Sequence, residues 1–245
     1  MLLISHILVA QIRPNSKRDQ EAIRQYGFST FSVADAKSDS IRILAFLSVP
    51  NHVLQFLKKE DGFEAEYEAT ISLKRKKGNL VGRRSWSNKL KTIDYLESTS
   101  KEIFTIHQVE FKVVPGDYVI SAELLDGDSK NSGVREKELK YSEHKGDLAL
   151  YTPFFLDYLS GNWGLDDNEI PMFQNIMGAK VTRASFFVSG KIKPGPYILE
   201  VTVLSSKKKE LWKKSFESNS KEEYFHQRII IPDKIAKQGL RKKVD

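Results

Sequence analysis

The chain contains no cysteine. That excludes disulfides, thiolate metal sites, a cysteine nucleophile and a lipid anchor on an N-terminal cysteine. Signatures of catalysis are missing too. The histidines are His6, His52, His107, His144 and His226, and none has a second histidine or cysteine at metal-ligand spacing. There is no His-Glu-x-x-His, no Gly-x-Ser-x-Gly and no Gly-Lys-Ser/Thr phosphate loop. No catalytic, cofactor-binding or metal-binding residue is therefore assigned, and neither an enzyme nor a cofactor is expected. The apolar start, "MLLISHILVAQ", is too short to span a bilayer, so no transmembrane segment is expected.

What is present is an ordinary globular balance. The 245 residues are 40% hydrophobic and 29% charged, with a formal net charge of +7. Basic residues gather in "KRKKG" (Lys74 to Gly78), "SKKKE" (Ser206 to Glu210) and "LRKKVD" at the end. The first two lie between strand-like runs, where hairpin turns need solvated side chains. The start also reads as the core of a secretory signal ending Leu8-Val9-Ala10, without its positive flank. Residues 1–26 are taken as a signal remnant and linker, and a periplasmic or extracellular location follows as an expectation.

Beyond that the chain alternates with period two. In "FEAEYEATISLK", Phe63, Ala65, Tyr67, Ala69, Ile71 and Leu73 fall on one face, and Glu64, Glu66, Glu68, Thr70, Ser72 and Lys74 on the other. That spacing predicts a strand with one buried and one wet face. "SIRILAFLSVP" is apolar on both faces and reads as a central strand. "HVLQFLKK", "NLVGRRSWSNKL", "EIFTIHQVEFKV", the run after Pro115-Gly116 and the polar edge strand "VREKELKY" complete about seven strands. The fold class expected is all-β: two tandem immunoglobulin-like β-sandwich domains, at 27–143 and 144–245. Tyr118, after the Pro115-Gly116 turn, suits the tyrosine whose hydroxyl bonds back to the preceding corner in such sandwiches.

"VVPGDYVISAEL" and "IKPGPYILEVTV" share Pro-Gly-x-Tyr, at Pro115, Gly116 and Tyr118 and at Pro194, Gly195 and Tyr197. A second register explains more residues. It aligns "YEATISLKRKKGNLVGRRSW" (Tyr67 to Trp86) with "LEVTVLSSKKKELWKKSF" (Leu199 to Phe216), and "HQVEF" with "HQRII". On that register the sequence stops before the last strands of the second sandwich, which is expected to be incomplete.

The run from Ile41 to Trp86, followed by "FKVVPGDYVISAELLDGDS", resembles the N-terminal β-rich region of the GWxTD-domain proteins of bacteria. The resemblance implies an exported β-sandwich protein of unknown specific role. The signature motif itself is absent, and "GNWGLDD" has its residues in the wrong order.

The function expected is a binding or scaffolding module whose partner is an unknown protein or surface glycan. The residues singled out are structural: Tyr67, Trp86, Pro115, Gly116, Tyr118, Pro194, Gly195 and Tyr197. The alternatives are a basic nucleic-acid-binding module, with Trp86 and Trp212 flanking the basic turns, and a carbohydrate-binding accessory module of an exported enzyme. Nucleic acid is not the expected partner. The acidic groups Asp126-Gly-Asp128 and Asp166 to Glu169 lack the full calcium-loop pattern and read as turns.

Overall fold

The computed structural model describes residues 25–35, 40–142, 146, 148–158, 169–171, 185–204, 207–230 and 232. The signal-like start and most of "GNWGLDDNE" lie outside the described residues. The protein is all-β. A first set of strands comprises β1 (Gly27–Ala34), β2 (Ile41–Pro50), β3 (Leu57–Lys59), β4 (Gly62–Arg75), β5 (Leu80–Thr92), β6 (Phe104–Val113), β7 (Gly116–Asp126) and β8 (Ser132–Tyr141). A second set comprises β9 (Leu148–Leu150), β10 (Phe154–Tyr158), β11 (Glu169–Pro171), β12 (Ser185–Ile192), β13 (Gly195–Leu204), β14 (Glu210–Ser220) and β15 (Tyr224–Ile230).

These strands make four antiparallel sheets. Sheet A runs β1-β2-β6, and sheet B runs β5-β4-β7-β8 with the short β3 beside the start of β4. Sheet C runs β11-β10-β12-β15 with β9 also on β12, and sheet D is the hairpin β13-β14. Sheet A has a core on each face. Ile41, Ile43, Ala45, Leu47 and Val49 join Tyr67, Ile71, Tyr118 and Leu124 of sheet B in the main core. Leu44 and Phe46 point the other way and meet Val33, Phe154 and Leu156. A third cluster, Val188, Phe225 and Ile229, lies between sheets C and D. The double-sided apolar pattern of β2 thus marks a middle strand in a middle layer. Two hydrogen bonds tie sheet A to sheet C: Ala34 N–H donates to Ser189 Oγ at 2.8 Å, and His226 Nε2 lies 3.1 Å from Ala34 O.

The first core begins at Tyr26, inside the segment read as linker. Its hydroxyl donates to Ala122 O at 2.7 Å, and Arg135 Nη1 donates to Tyr26 O at 2.6 Å. "HVLQFLKK" is not one strand. Asn51–Val53 forms a single 3-10 turn, and only Leu57–Lys59 is extended. Nor is the outer face of β4 wet throughout. Thr70 and Ser72 are buried because their hydroxyls meet Ser85 Oγ and Ser121 Oγ on the flanking strands.

The hairpins β4-β5 and β13-β14 share one pairing register, without insertion or deletion. Tyr67 pairs with Asn88, Ala69 with Trp86 and Ile71 with Arg84. Correspondingly Tyr197 pairs with Ser218, Leu199 with Phe216 and Val201 with Lys214. Each has a bulge at the turn, after Leu73 and after Val203. Tyr197 therefore takes the place of Tyr67, not the place of a residue two earlier as the sequence alignment implies. A slip of two residues leaves every side chain on its own face, so alternation alone cannot detect it. The histidine match fails because the two histidines face opposite ways. His107 pairs with Leu47 and points into the main core, whereas Phe225 pairs with Gly190 and points inward in the second set. His226 faces sheet A.

The two Pro-Gly-x-Tyr turns are sheet-to-sheet crossings at different points of this repeat. Pro115-Gly116 carries the chain from sheet A to sheet B, and Pro194-Gly195 from sheet C to sheet D. Gly116 has φ +153° and Gly195 φ +144°, a conformation open to glycine alone. Tyr118 Oη donates to Val114 O at 2.7 Å, the backward bond of a tyrosine corner. Tyr197 instead packs its ring 5.3 Å from that of Phe225.

Candidate functional site

Of the residues singled out in the sequence, Tyr67 and Trp86 come together around His107. Tyr67 is buried because it points inward from the middle of β4. Its hydroxyl lies 2.9 Å from His107 Nε2 and accepts from Asn88 Nδ2 at 3.1 Å. The Trp86 ring sits 4.8 Å from the imidazole. No carboxylate completes a proton relay at these contacts. Burial pushes His107 down from 6.5 to about 4, so the imidazole is neutral in the folded protein.

This has a consequence for stability. Between pH 6.5 and about 4 the unfolded chain takes up a proton that the folded chain refuses, so stability falls as pH falls. At pH 5 the loss assigned to His107 is about 2 kcal/mol relative to pH 8. Urea midpoints at the two pH values should show it, and His107→Gln should reduce the difference by that amount. A His107→Gln protein with an undiminished pH dependence would sink the assignment. Burial lowers His52 and His226 as well, so a residual slope of the same sign is expected in the variant.

The acidic groups are committed elsewhere. Glu64 bonds Lys89 at 2.8 Å and also Lys91, and these lysines hold its carboxyl down at about 2. A general acid needs the opposite shift. The Asp126 carboxylate accepts from Gln55 N–H, Asp128 N–H and Ser129 Oγ, and Asp128 Oδ2 accepts from Glu66 N–H. These oxygens pin loops to strands. Among the described residues no group of three His, Asp or Glu is arranged to hold a metal ion.

Trp86 and Trp212 are partly buried and pack against the cores between their sheets. The basic turns are partly engaged. Lys76 Nζ bonds Glu138 at 2.8 Å, and Arg75 lies over the Tyr118 ring.

Among the described residues, the second set of strands has an unpaired edge beside an apolar groove. In sheet B, β4 lies between β5 and β7. Among the described residues its counterpart β13 pairs only with β14, so one edge offers backbone N–H and C=O groups. The inward side chains register the difference. Tyr67 is 1% and Ile71 0% exposed, but their counterparts Tyr197 and Val201 are only half-buried. Along the open edge runs an apolar groove of about 410 Å³ between sheets C and D. Its walls include Leu150, Phe154, Phe155, Val188, Leu199 and Val201. Phe155 is 53% and Ile198 67% exposed. The β13 strand has one charged residue, Glu200, already paired with Lys213 at 2.9 Å. By contrast, edge strand β8 alternates arginine, glutamate and lysine through its centre, which discourages strand addition.

None of the residues singled out in the sequence lines the groove; Gly195 and Tyr197 lie at the start of its edge strand, and Pro194 just before it. Sequence reasoning missed its walls. One signal was present: "YILEVTVL" is apolar on both faces with a single charge, unlike β4, β5 and β14 of the two repeated hairpins. No family model matches the chain, and a search of curated proteins finds no match.

Proposed function

We propose that this chain is a non-catalytic binding module of a scaffolding kind, with the groove and open edge of β13 as its contact surface. The observation that carries the reading is the apolar groove beside an edge strand that lacks protective charges. Main-chain groups supply affinity at such an edge, and side-chain pockets supply selectivity. The split into sheets A and B, with the short β3 set aside, and the tyrosine corner at Tyr118 favour an immunoglobulin-like reading of the first set. The repeated hairpin supports reading the second set as a tandem copy of the first. The GWxTD-like sequence and the signal-like start favour a bacterial protein exported to the periplasm or beyond.

The reading is tested with a photo-reactive residue placed at Ile198, with Glu136 on β8 as the control position. In cells of the source organism, position 198 should give a discrete polypeptide adduct that position 136 does not. Equal labelling at both positions, or none at 198, would remove the groove as the functional surface.

A further inference from the structure

Resting on that reading, we infer that the groove takes one extended strand of a partner polypeptide, antiparallel to β13, with apolar side chains at alternate positions and an acidic N-terminal end. The internal repeat supplies the template. In the first set, β7 fills the equivalent space beside β4. It pairs Ala69 with Leu124, Ile71 with Ala122 and Leu73 with Ile120. Its inward residues Tyr118, Ile120, Ala122 and Leu124 are all buried in the main core. Leu199, Val201 and Val203 stand where Ala69, Ile71 and Leu73 stand in the first hairpin. A strand laid on β13 in the same register would close the groove as β7 closes the main core.

The differences between the hairpins specify the occupant. Leu199 is larger than Ala69, so the residue opposite it must be smaller than Leu124. Val201 is smaller than Ile71, so the residue opposite it must be larger than Ala122. Close packing makes such exchanges of volume decisive. Charge sets the direction. The strand's N-terminal end arrives at the basic turn, near Lys207 and Lys208, where an acidic residue is favoured. In the template that end carries Asp117, whose carbonyl accepts from Lys76 N–H.

The chain's own "DKIAKQGLRKKVD" does not fit. Lysine or arginine falls on both of its alternating faces, so either face would carry charge into the apolar groove. A second copy pairing β13 to β13 would bring Pro196, which has no N–H, into the ladder.

The experiment uses the full chain and two labelled synthetic peptides. One has the β7 sequence "GDYVISAELLD" and the other is "GDYVISLEALD", in which the residues at positions 122 and 124 are exchanged. A scrambled peptide of the same composition is the control. Fluorescence anisotropy should show the exchanged peptide binding at least tenfold tighter than the β7 peptide, and the scrambled one not at all. Hydrogen exchange should slow at β13 amides and not at β8. Val201→Lys should weaken binding at least tenfold. Leu150→Glu, at an exposed wall position, should weaken it as well. Equal binding of the scrambled peptide overturns the inference. So does failure of both ordered peptides, including the case in which the chain forms a dimer that Val201→Lys dissolves. Peptide binding without the Ile198 adduct in cells would refute the proposed function and leave the strand chemistry standing. The converse result would do the reverse.

Discussion

Phe46→Ala should lower the unfolding free energy by about 3–5 kcal/mol, the range for truncating a fully buried phenylalanine. Phe46 is completely buried on the face of β2 that points away from the main core. Its ring meets Phe31 edge-on at 6.0 Å, and Phe31 in turn lies tilted against Phe154 of sheet C at 4.6 Å. Alanine would leave a cavity with sheet A on one side and sheet C on the other. Neither can collapse into it without giving up packing against another layer. Phe155→Ala is the control, because that ring is more than half exposed and its loss should cost under about 1 kcal/mol. Chemical denaturation of the two variants decides the matter. Similar small losses for both would mean that sheets A and C are not packed as a core.

Gly62→Ala should cost about 3 kcal/mol, and a comparison with Gly195→Ala divides that cost into two causes. Both glycines open the first strand of a hairpin at positive φ, +135° and +144°. An alanine at either position is therefore strained, by about 1–3 kcal/mol. The surroundings differ. A Cβ on Gly62 would meet the Thr92 carbonyl oxygen across the sheet, far inside contact distance, with Ile93 Cα at 3.1 Å. A Cβ on Gly195 would meet nothing within 4 Å. The Gly195 variant should show strain alone, and the Gly62 variant strain plus separation of β4 from the end of β5. Equal losses would show that the Thr92 contact relaxes freely.

Several elements could be read from composition and period. The strand through Tyr67 announced itself because one of its faces is buried and the other carries Glu64, Glu66 and Glu68. The β8 strand did so because its lysines and glutamates mark an edge. The strand β1 was overlooked for the opposite reason. Phe28 points into the main core while Phe31 and Val33 point into the second, so no period-two pattern survives. Polar residues on it are satisfied locally, as when Ser32 Oγ bonds Tyr141 Oη at 2.6 Å. The hairpin repeat was recognised but placed two residues off in its first strand, because that slip keeps the faces aligned. The groove was not legible. It depends on which strand stands next to β13, and a strand edge leaves no mark on the side-chain alternation. It shows only as missing charge.

Sheet A has a further consequence for how the molecule comes apart. It has no solvent face along β2: one surface belongs to the main core and the other to the contact with sheet C. Opening either core strips one side of the same three strands. The layers on both sides of sheet A should therefore melt as one cooperative block. Sheet D hangs from the far side of sheet C by a single hairpin and a half-covered cluster, and it can open while that block stays shut. Thermodynamically the chain divides not between its two sets of strands but within the second of them. Its softest part is the hairpin that borders the groove.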